Sequence, residues 1–144
     1  MEKVVAKHFS RLTADELFRI YKARVSVFVV EQTCPYQEVD DDDIASTHVW
    51  IEENDQLAAY LRIIPKETGV VKIGRVLSLT RGTGLGAKII RAGIDTATKQ
   101  MGAHTIHIEA QTYAKGFYEK AGFVVNGEEF LEDGIPHVPM ILKF

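Results

Sequence analysis

The chain has 144 residues, with 17 lysines and arginines against 20 aspartates and glutamates, and a net charge of -3. Because 46% of the residues are apolar and 26% are charged, the composition is typical of an ordinary globular protein, and we expect one domain over residues 1–144. The acidic excess excludes the basic surface with which proteins bind duplex nucleic acid.

The first residues carry charges at positions 2, 3 and 7, where a secretory signal peptide needs an apolar stretch. The most apolar stretch is far shorter than the roughly 20 residues that span a bilayer. Cys34 is the single cysteine, so an internal disulfide is excluded. We therefore expect a cytoplasmic protein with no membrane anchor.

The first predicted helix begins after Thr13, where Thr13 and Glu16 form a capping box, and it continues to about residue 31. Residues 40–43 are four consecutive aspartates, a block that favours a solvated loop and that would attract a cationic amine. The block lacks the alternating ligands and the turn glycine of a calcium site.

Alternating polarity then predicts strands over residues 48–52 and 57–64, joined as a hairpin, and a third strand over residues 70–79. A glycine-rich loop leads into a helix that ends near residue 101, and residues 105–111 predict the next strand. This order predicts a parallel crossover in a mixed sheet. A short helix over residues 114–121 and strands over residues 123–130 and 138–142 complete an α+β domain.

The glycine loop offers the clearest functional signal. Gly82, Gly84 and Gly86 stand at the start of a helix, where free amides and the helix dipole make an anion site that suits phosphate. The structural alternative is a tight turn, for which one glycine would be enough.

The spacing Gly82-x-Gly84-x-x-Ala87 also fits a dinucleotide fingerprint, with Glu109 at about the distance of a ribose-binding acid. The chain after residue 111 is too short for the second half of such a site. A P-loop is excluded because the sequence lacks its Gly-Lys-Ser/Thr ending.

Arg81-x-x-Gly84-x-Gly86, directly after a strand, resembles the acyl-CoA pyrophosphate loop of the GNAT superfamily of N-acyltransferases. Residues 117–123, Phe-Tyr-Glu-Lys-Ala-Gly-Phe, resemble a later helix-to-strand segment of that family. Residues 24–36 and the sequence Gly-Ile-Pro-His at 134–137 resemble its ElaA-like branch. The resemblance covers nearly the whole chain and implies a GNAT-like fold, a central mixed sheet flanked by helices.

By this resemblance the co-substrate is acetyl-CoA or another acyl-CoA, and no metal is needed. The pyrophosphate would lie over the amides of the glycine loop, and the pantetheine arm would run along the preceding strand, where an unpaired amide of Leu77 or Leu79 would polarise the thioester. The residues expected to bind the co-substrate are Leu77, Ser78, Leu79, Arg81, Gly82, Thr83, Gly84, Leu85, Gly86 and Ala87.

The implied reaction is direct attack of a primary amine on the thioester, which requires removal of one proton and supply of another. Tyr118 is the candidate acid, since a phenol with a pKa near 10 can protonate a thiolate whose thiol has a pKa around 8.5. The alternative role for Tyr118 is core packing. Glu109 belongs to a polar row on one strand face, and it either relays a proton through water or faces solvent near a sheet edge.

The candidate acceptor residues are polar and of both charge signs. The ElaA-like resemblance and the polar row together select Arg24, Glu31, Gln32, Arg75, Gln111 and His137. For Arg24 and Arg75 a salt-bridged supporting role is an open alternative. The acceptor is a small-molecule or peptide amine, an exposed final strand would allow a homodimer, and the rival function is a non-catalytic acyl-CoA-binding module.

Overall fold

The computed structural model describes residues 2–80 and 82–144, which form one eight-stranded sheet. The strands are β1 (Glu2–His8), β2 (Thr47–Glu53), β3 (Gln56–Glu67), β4 (Val70–Ser78), β5 (Thr105–Gln111), β6 (Val124–Val125), β7 (Phe130–Glu132) and β8 (Ile135–Lys143). Their order is β1-β2-β3-β4-β5-β8-β6, and β7 also pairs with β8. β4 and β5 are parallel and the other pairs are antiparallel, so the predicted mixed sheet is confirmed.

The helices are α1 (Ala14–Arg24), α2 (Asp42–Ala45), α3 (Leu85–Asp95) and α4 (Lys115–Lys120). The capping box is confirmed: the Glu16 amide donates to Thr13 Oγ1 at 3.1 Å, and the Thr13 amide donates to Glu16 Oε1 at 2.9 Å. α1 continues to Glu31 in wider π-helical turns, over a segment rich in β-branched valines that crowd an α-helical turn. No helix among the described residues is long and apolar enough to cross a membrane.

The two faces of the sheet are covered differently. α3 packs its buried residues Leu85, Ile89 and Ile90 against the main apolar core on one face. On the other face α1 packs Ile20 and Ala23 over the middle strands. Beyond α1 on that second face, β5 presents partly exposed polar side chains, which leaves room for a ligand.

The final strand is not exposed, contrary to the sequence-based expectation. β8 lies between β5 on one side and the short strands β6 and β7 on the other, so both of its edges are paired. Among the described residues, the strands paired on one side only are β1, β6 and β7. An exposed final strand therefore gives no argument for a homodimer, which stays a prediction.

The single strand predicted over residues 123–130 is also wrong, because the structure divides it into β6 and β7. Between them, a Cβ on Gly127 would lie 2.6 Å from Pro139 Cγ, so the chain passes too close to β8 for a side chain. The Asn126 amide donates to the Pro139 carbonyl at 3.0 Å. Pro139 has no backbone N–H, so it cannot donate the second hydrogen bond of the ladder. The ladder is interrupted at this point.

Candidate functional site

The centre of the site is a gap where β4 and β5 separate. The two strands pair only from Val70 to Ile73 on β4 and from Thr105 to Ile108 on β5. Just beyond, β4 contains one extra residue relative to β3, and Arg75 adopts a left-handed φ of 55°. A β-bulge bends its strand, so β4 leaves β5 where ligands collect in sheets of this kind.

The direction of the amides along β4 corrects one prediction. The Leu79 amide donates to the Ala58 carbonyl at 2.9 Å, so it is not the unpaired donor we expected. Amides alternate in direction along an antiparallel strand, so the Leu77 amide also faces β3. The amide of Ser78, between them, points towards the gap.

The segment predicted to bind an anion leads into α3, and its backbone is open to solvent there. Gly82 and Gly84 have φ values of 76° and 79°, and a Cβ on either would meet no described atom within 4 Å, so the space above the loop is open. Gly84 precedes the helix, and no described side chain caps the first amides. The earliest amide bonded within the helix is that of Lys88, to the Gly84 carbonyl at 3.2 Å. The amides of the first turn are therefore available to an anion.

Two other loop predictions have different outcomes. Thr83 Oγ1 donates to the Thr80 carbonyl at 3.0 Å, which ties the loop to the end of β4. Arg81 lies outside the described residues, so its role as a counter-charge stays a prediction.

Tyr118 is packed in the core and also reaches the cleft, so its role as the acid stays a prediction. It is 8% exposed, its ring packs edge-on against Phe117 and Phe123, and it also lines the cleft at the gap. A Cβ on Gly86 would lie 3.4 Å from the Phe117 ring, so α4 adjoins the start of α3. Burial raises the pKa of the Tyr118 phenol, which therefore keeps its proton at neutral pH.

The cleft has a volume of about 620 Å³. Its walls meet at two contacts: Gln111 Nε2 donates to Gln32 Oε1 at 3.4 Å, and Cys34 Sγ donates to the Asp133 carbonyl at 3.6 Å. The predicted site residues that line it are Gln32, Arg75, Leu77, Ser78, Glu109, Gln111, Tyr118 and His137. The fold thus brings together eight residues from five separate parts of the sequence.

Two predicted acceptor residues lie elsewhere. Arg24 is fully buried, and its guanidinium is engaged by Glu38 and Asp43, so it cannot contact an acceptor and the supporting role is the correct one. Glu31 is exposed at the end of the π-helical turns and is not a lining residue of the cleft.

Arg24 belongs to a closed ring of ion pairs beneath the cleft, which we call the arginine ring. Three arginines alternate with three carboxylates in the order Arg24, Glu38, Arg75, Asp40, Arg62, Asp43 and back to Arg24. The nitrogen–oxygen distances range from 2.5 Å to 3.3 Å. The ring is neutral overall, and it fastens the segment 32–43, one wall of the cleft, to α1, β3 and β4.

The aspartate block is therefore solvated only in part: Asp41 and Asp42 are exposed, whereas Asp40 and Asp43 belong to the arginine ring. Asp43 is 1% exposed. Burial alone would raise the pKa of its carboxyl group, but Arg24, the Asp40 amide and Arg62 together hold that pKa below the usual range. The pKa of Asp40 is lowered as well, with Arg62 as the main favourable partner. Sequence reasoning missed Glu38 and Arg62, because their partners lie 14 or more residues away and no local pattern marks them.

Glu109 has a cationic partner at the cleft surface. Its Oε1 lies 3.0 Å from Lys72 Nζ. Glu109 is exposed, as one alternative expected, but β5 is an interior strand and not a sheet edge. Lys72, like the two cleft-lining arginines, is thus neutralised by a carboxylate. Since the lining residues Asp42, Glu132 and Asp133 add further carboxylates, the cleft is negatively charged. Among the described residues no group of His, Cys, Asp or Glu side chains could hold a metal ion.

Comparison with known proteins identifies the family. Residues 12–144 match the family model for the acetyltransferase (GNAT) domain. The chain belongs to the GNAT acetyltransferase family. A UPF0039 protein of Schizosaccharomyces pombe is 39% identical over 143 residues, covering 96% of this chain and 95% of that protein.

Solved structures agree with the family assignment. An acyl-CoA N-acyltransferase from Pseudomonas aeruginosa has a TM-score of 0.91 and 36% identity, with 99% of each chain covered. Escherichia coli ElaA has a TM-score of 0.92 and 34% identity, with 99% of this chain and 100% of that chain covered. The predicted GNAT-like fold and ElaA-like resemblance are confirmed, and the chain has the fold of acyl-CoA-dependent acyltransferases.

The arginine ring gives a stability prediction for this GNAT domain. We expect Arg24→Gln to lower the free energy of unfolding by about 3–5 kcal/mol, because Glu38 and Asp43 would stay buried without their shared cation. Urea denaturation followed by circular dichroism measures the change.

The matched control is Arg19→Gln on the same helix, where Arg19 pairs with Asp15 and Glu52 in a partly exposed position. It should cost less than about 1 kcal/mol. Equal losses for the two variants would show that the ring is not a special stabilising element.

Proposed function

We propose that this protein is an N-acetyltransferase that moves an acetyl group from acetyl-CoA to a primary amine by direct attack on the thioester. The observation that carries the proposal is the gap between β4 and β5, which has an open anion site at one end and Tyr118 beside it. A phosphate-bearing thioester and an amine can meet there. The anion site also accounts for ligand binding in a protein with a net charge of -3, since backbone amides carry no formal charge.

In this proposal the co-substrate lies along β4. The amides of residues 82–87 hold the pyrophosphate, and the Ser78 amide bonds the pantetheine arm as an added strand would. Leu77 and Leu79 supply apolar contacts, and Arg81 supplies a counter-charge. The bulge at Arg75 supports this arrangement because it opens the side of β4 that such an arm needs.

The acceptor amine enters from the wall formed by residues 32–43 and β8. The negative charge of the cleft favours a substrate that arrives as an ammonium ion, either a small molecule or a peptide. Gln32 and Gln111 offer neutral hydrogen-bonding groups beside the gap. Arg75 helps to shape the floor, with its charge already satisfied by Glu38 and Asp40.

The chemistry needs one proton removed and one supplied. Once the acceptor is deprotonated, its nitrogen forms a bond to the carbonyl carbon of the thioester, and the carbon–sulfur bond breaks. Tyr118 gives its phenolic proton to the departing thiolate and regains a proton from the new amide nitrogen. The raised pKa of Tyr118 keeps the phenol protonated until the thiolate forms, and the proton that Tyr118 regains from the new amide nitrogen completes the transfer.

The experiment that tests the function is a thiol-release screen with acetyl-CoA and a panel of polyamines, amino acids, aminoglycosides and peptides. Saturable release that depends on an amine, with an acetylated product of the expected mass, supports the acetyltransferase. Tight binding of acetyl-CoA without release for any amine favours the non-catalytic acyl-CoA-binding module instead.

Substitution of the glycine loop should abolish binding of the co-substrate. We expect Gly84→Glu to weaken acetyl-CoA affinity at least tenfold, because the side chain would cover the open amides and its charge would repel the pyrophosphate. Isothermal titration calorimetry measures the affinity.

Gly102→Glu is the matched control, since Gly102 also has a positive φ, 67°, and open space at its Cβ. The variant adds the same charge and the same backbone strain, but it does so beyond the C-terminal end of the helical segment that begins with α3. An unchanged affinity in Gly84→Glu, or an equal loss in both variants, would contradict the assignment of the anion site.

Removal of the Tyr118 hydroxyl should slow turnover without affecting binding. We expect Tyr118→Phe to lower kcat more than tenfold and to leave the dissociation constant of acetyl-CoA unchanged, because the ring packing is retained and only the proton donor is lost. Thiol release with an accepted amine measures kcat. Tyr21→Phe on α1 controls for loss of a phenol remote from the gap, and comparable rates in the two variants would rule out the acid role.

A further inference from the structure

We infer that His137 is the general base that removes the proton from the acceptor ammonium, an inference that rests on the proposed function. The sequence indicated His137 only as an acceptor-binding residue and left the base unassigned. In the fold, His137 lies on β8 directly opposite Gln111, the last residue of β5, and it lines the cleft. It therefore stands at the level where β4 and β5 have separated.

The hydrogen bonding of the ring fixes which nitrogen can accept a proton. Nδ1 lies 2.7 Å from the carbonyl oxygen of Ile135. A carbonyl oxygen only accepts hydrogen bonds, so Nδ1 must carry the hydrogen. In the neutral ring Nε2 then has the free lone pair, which is how a backbone carbonyl sets the tautomer of a working histidine.

Packing fixes the orientation of the same ring. His137 is 8% exposed, and the Phe130 ring stacks on it at a centroid distance of 5.7 Å and an interplanar angle of 24°. With Nδ1 bonded and the Phe130 side covered, Nε2 is the polar atom of the ring that remains for a ligand in the cleft. The lone pair is held in place before the acceptor arrives, as a general base requires.

The charged neighbour of Nε2 provides an exit for the proton. Glu132 Oε2 lies 3.7 Å from Nε2, and the glutamate side chain is 50% exposed. This carboxylate stabilises the imidazolium formed when His137 takes a proton, and it connects the site to solvent. The acceptor loses one proton to Nε2, its nitrogen then attacks the thioester, and the net proton of the reaction leaves through His137.

Four other titratable groups, three in the cleft and one outside it, suit the role less well. Glu109 is engaged by Lys72 at 3.0 Å, so a proton placed on it would break an ion pair. Asp40 is held between Arg62 and Arg75, and Tyr118 is an acid with a raised pKa. His48 is buried under α2, with its nitrogens at 2.6 Å from Tyr60 Oη and 3.0 Å from the Asp43 carbonyl.

The kinetic test uses His137→Gln, which keeps a polar side chain of similar size but cannot act as a base at neutral pH. We expect kcat/KM at pH 7 to fall about a hundredfold or more, with the dissociation constant of acetyl-CoA unchanged. The rise of kcat/KM with pH that a general base produces should disappear in the variant. Added imidazole should restore activity to His137→Ala.

The control is His107→Gln. His107 lies on β5, on the same strand face as Gln111, and its replacement should leave both the rate and the pH profile unchanged. The inference is overturned if His137→Gln keeps the wild-type pH profile, or if imidazole fails to rescue His137→Ala. It is equally overturned if the variants lose acetyl-CoA binding, since that result indicates a structural role.

A measurement without turnover separates this inference from the proposed function. Carbon and nitrogen chemical shifts of the His137 ring in the wild-type protein report its tautomer, and we expect hydrogen on Nδ1 in the neutral ring. Hydrogen on Nε2 would overturn the base assignment even if the enzyme acetylates amines. A protein that shows the Nδ1 tautomer but releases thiol with no amine would instead contradict the proposed function.

Discussion

The arginine ring is the constraint on which the shape of this protein depends. Four of its six charged side chains are buried and two are partly exposed. Buried charges are unfavourable unless each meets an opposite one, and the closed alternation of arginines and carboxylates from four parts of the chain satisfies that condition. A segment with no strand and only the short helix α2 is thereby fixed against the sheet. Because that segment is one wall of the cleft, the ring determines the position of this wall, and three of its six members also line the cleft.

The ring and the gap share one residue. Arg75 carries the left-handed backbone of the β4 bulge and also closes the ring through Glu38 and Asp40. A left-handed φ is costly for a residue with a side chain, and the two ion pairs offset that cost. The same residue therefore bends β4 away from β5 and anchors the wall that faces the opening. The separation of β4 from β5 and the position of the cleft wall therefore both depend on Arg75.

Much of the fold followed from local sequence. The capping box at Thr13, the strand alternation of β2 to β5 and the glycine-rich start of α3 are short-range signals, and each predicted element is present. Predictions that depended on distant partners were less successful. The aspartate block was expected to be solvated because the arginines that pair with it are remote in sequence. The final strand was expected to be exposed because the order of strands along the chain does not reveal that β8 lies between β5 and β6.

For the candidate site, the sequence by itself determined the chemical inventory: a glycine loop for an anion, a tyrosine able to donate a proton, and a set of polar residues that the family resemblance selected. Tertiary structure decided which of them can act together. Burial placed Arg24 in the ring, the amide direction along β4 favoured Ser78 over its neighbours, and one backbone carbonyl set the free nitrogen of His137. The physical reason is that a loop or a cap needs only adjacent residues, whereas charge pairing, strand register and tautomer depend on atoms that folding alone brings into contact.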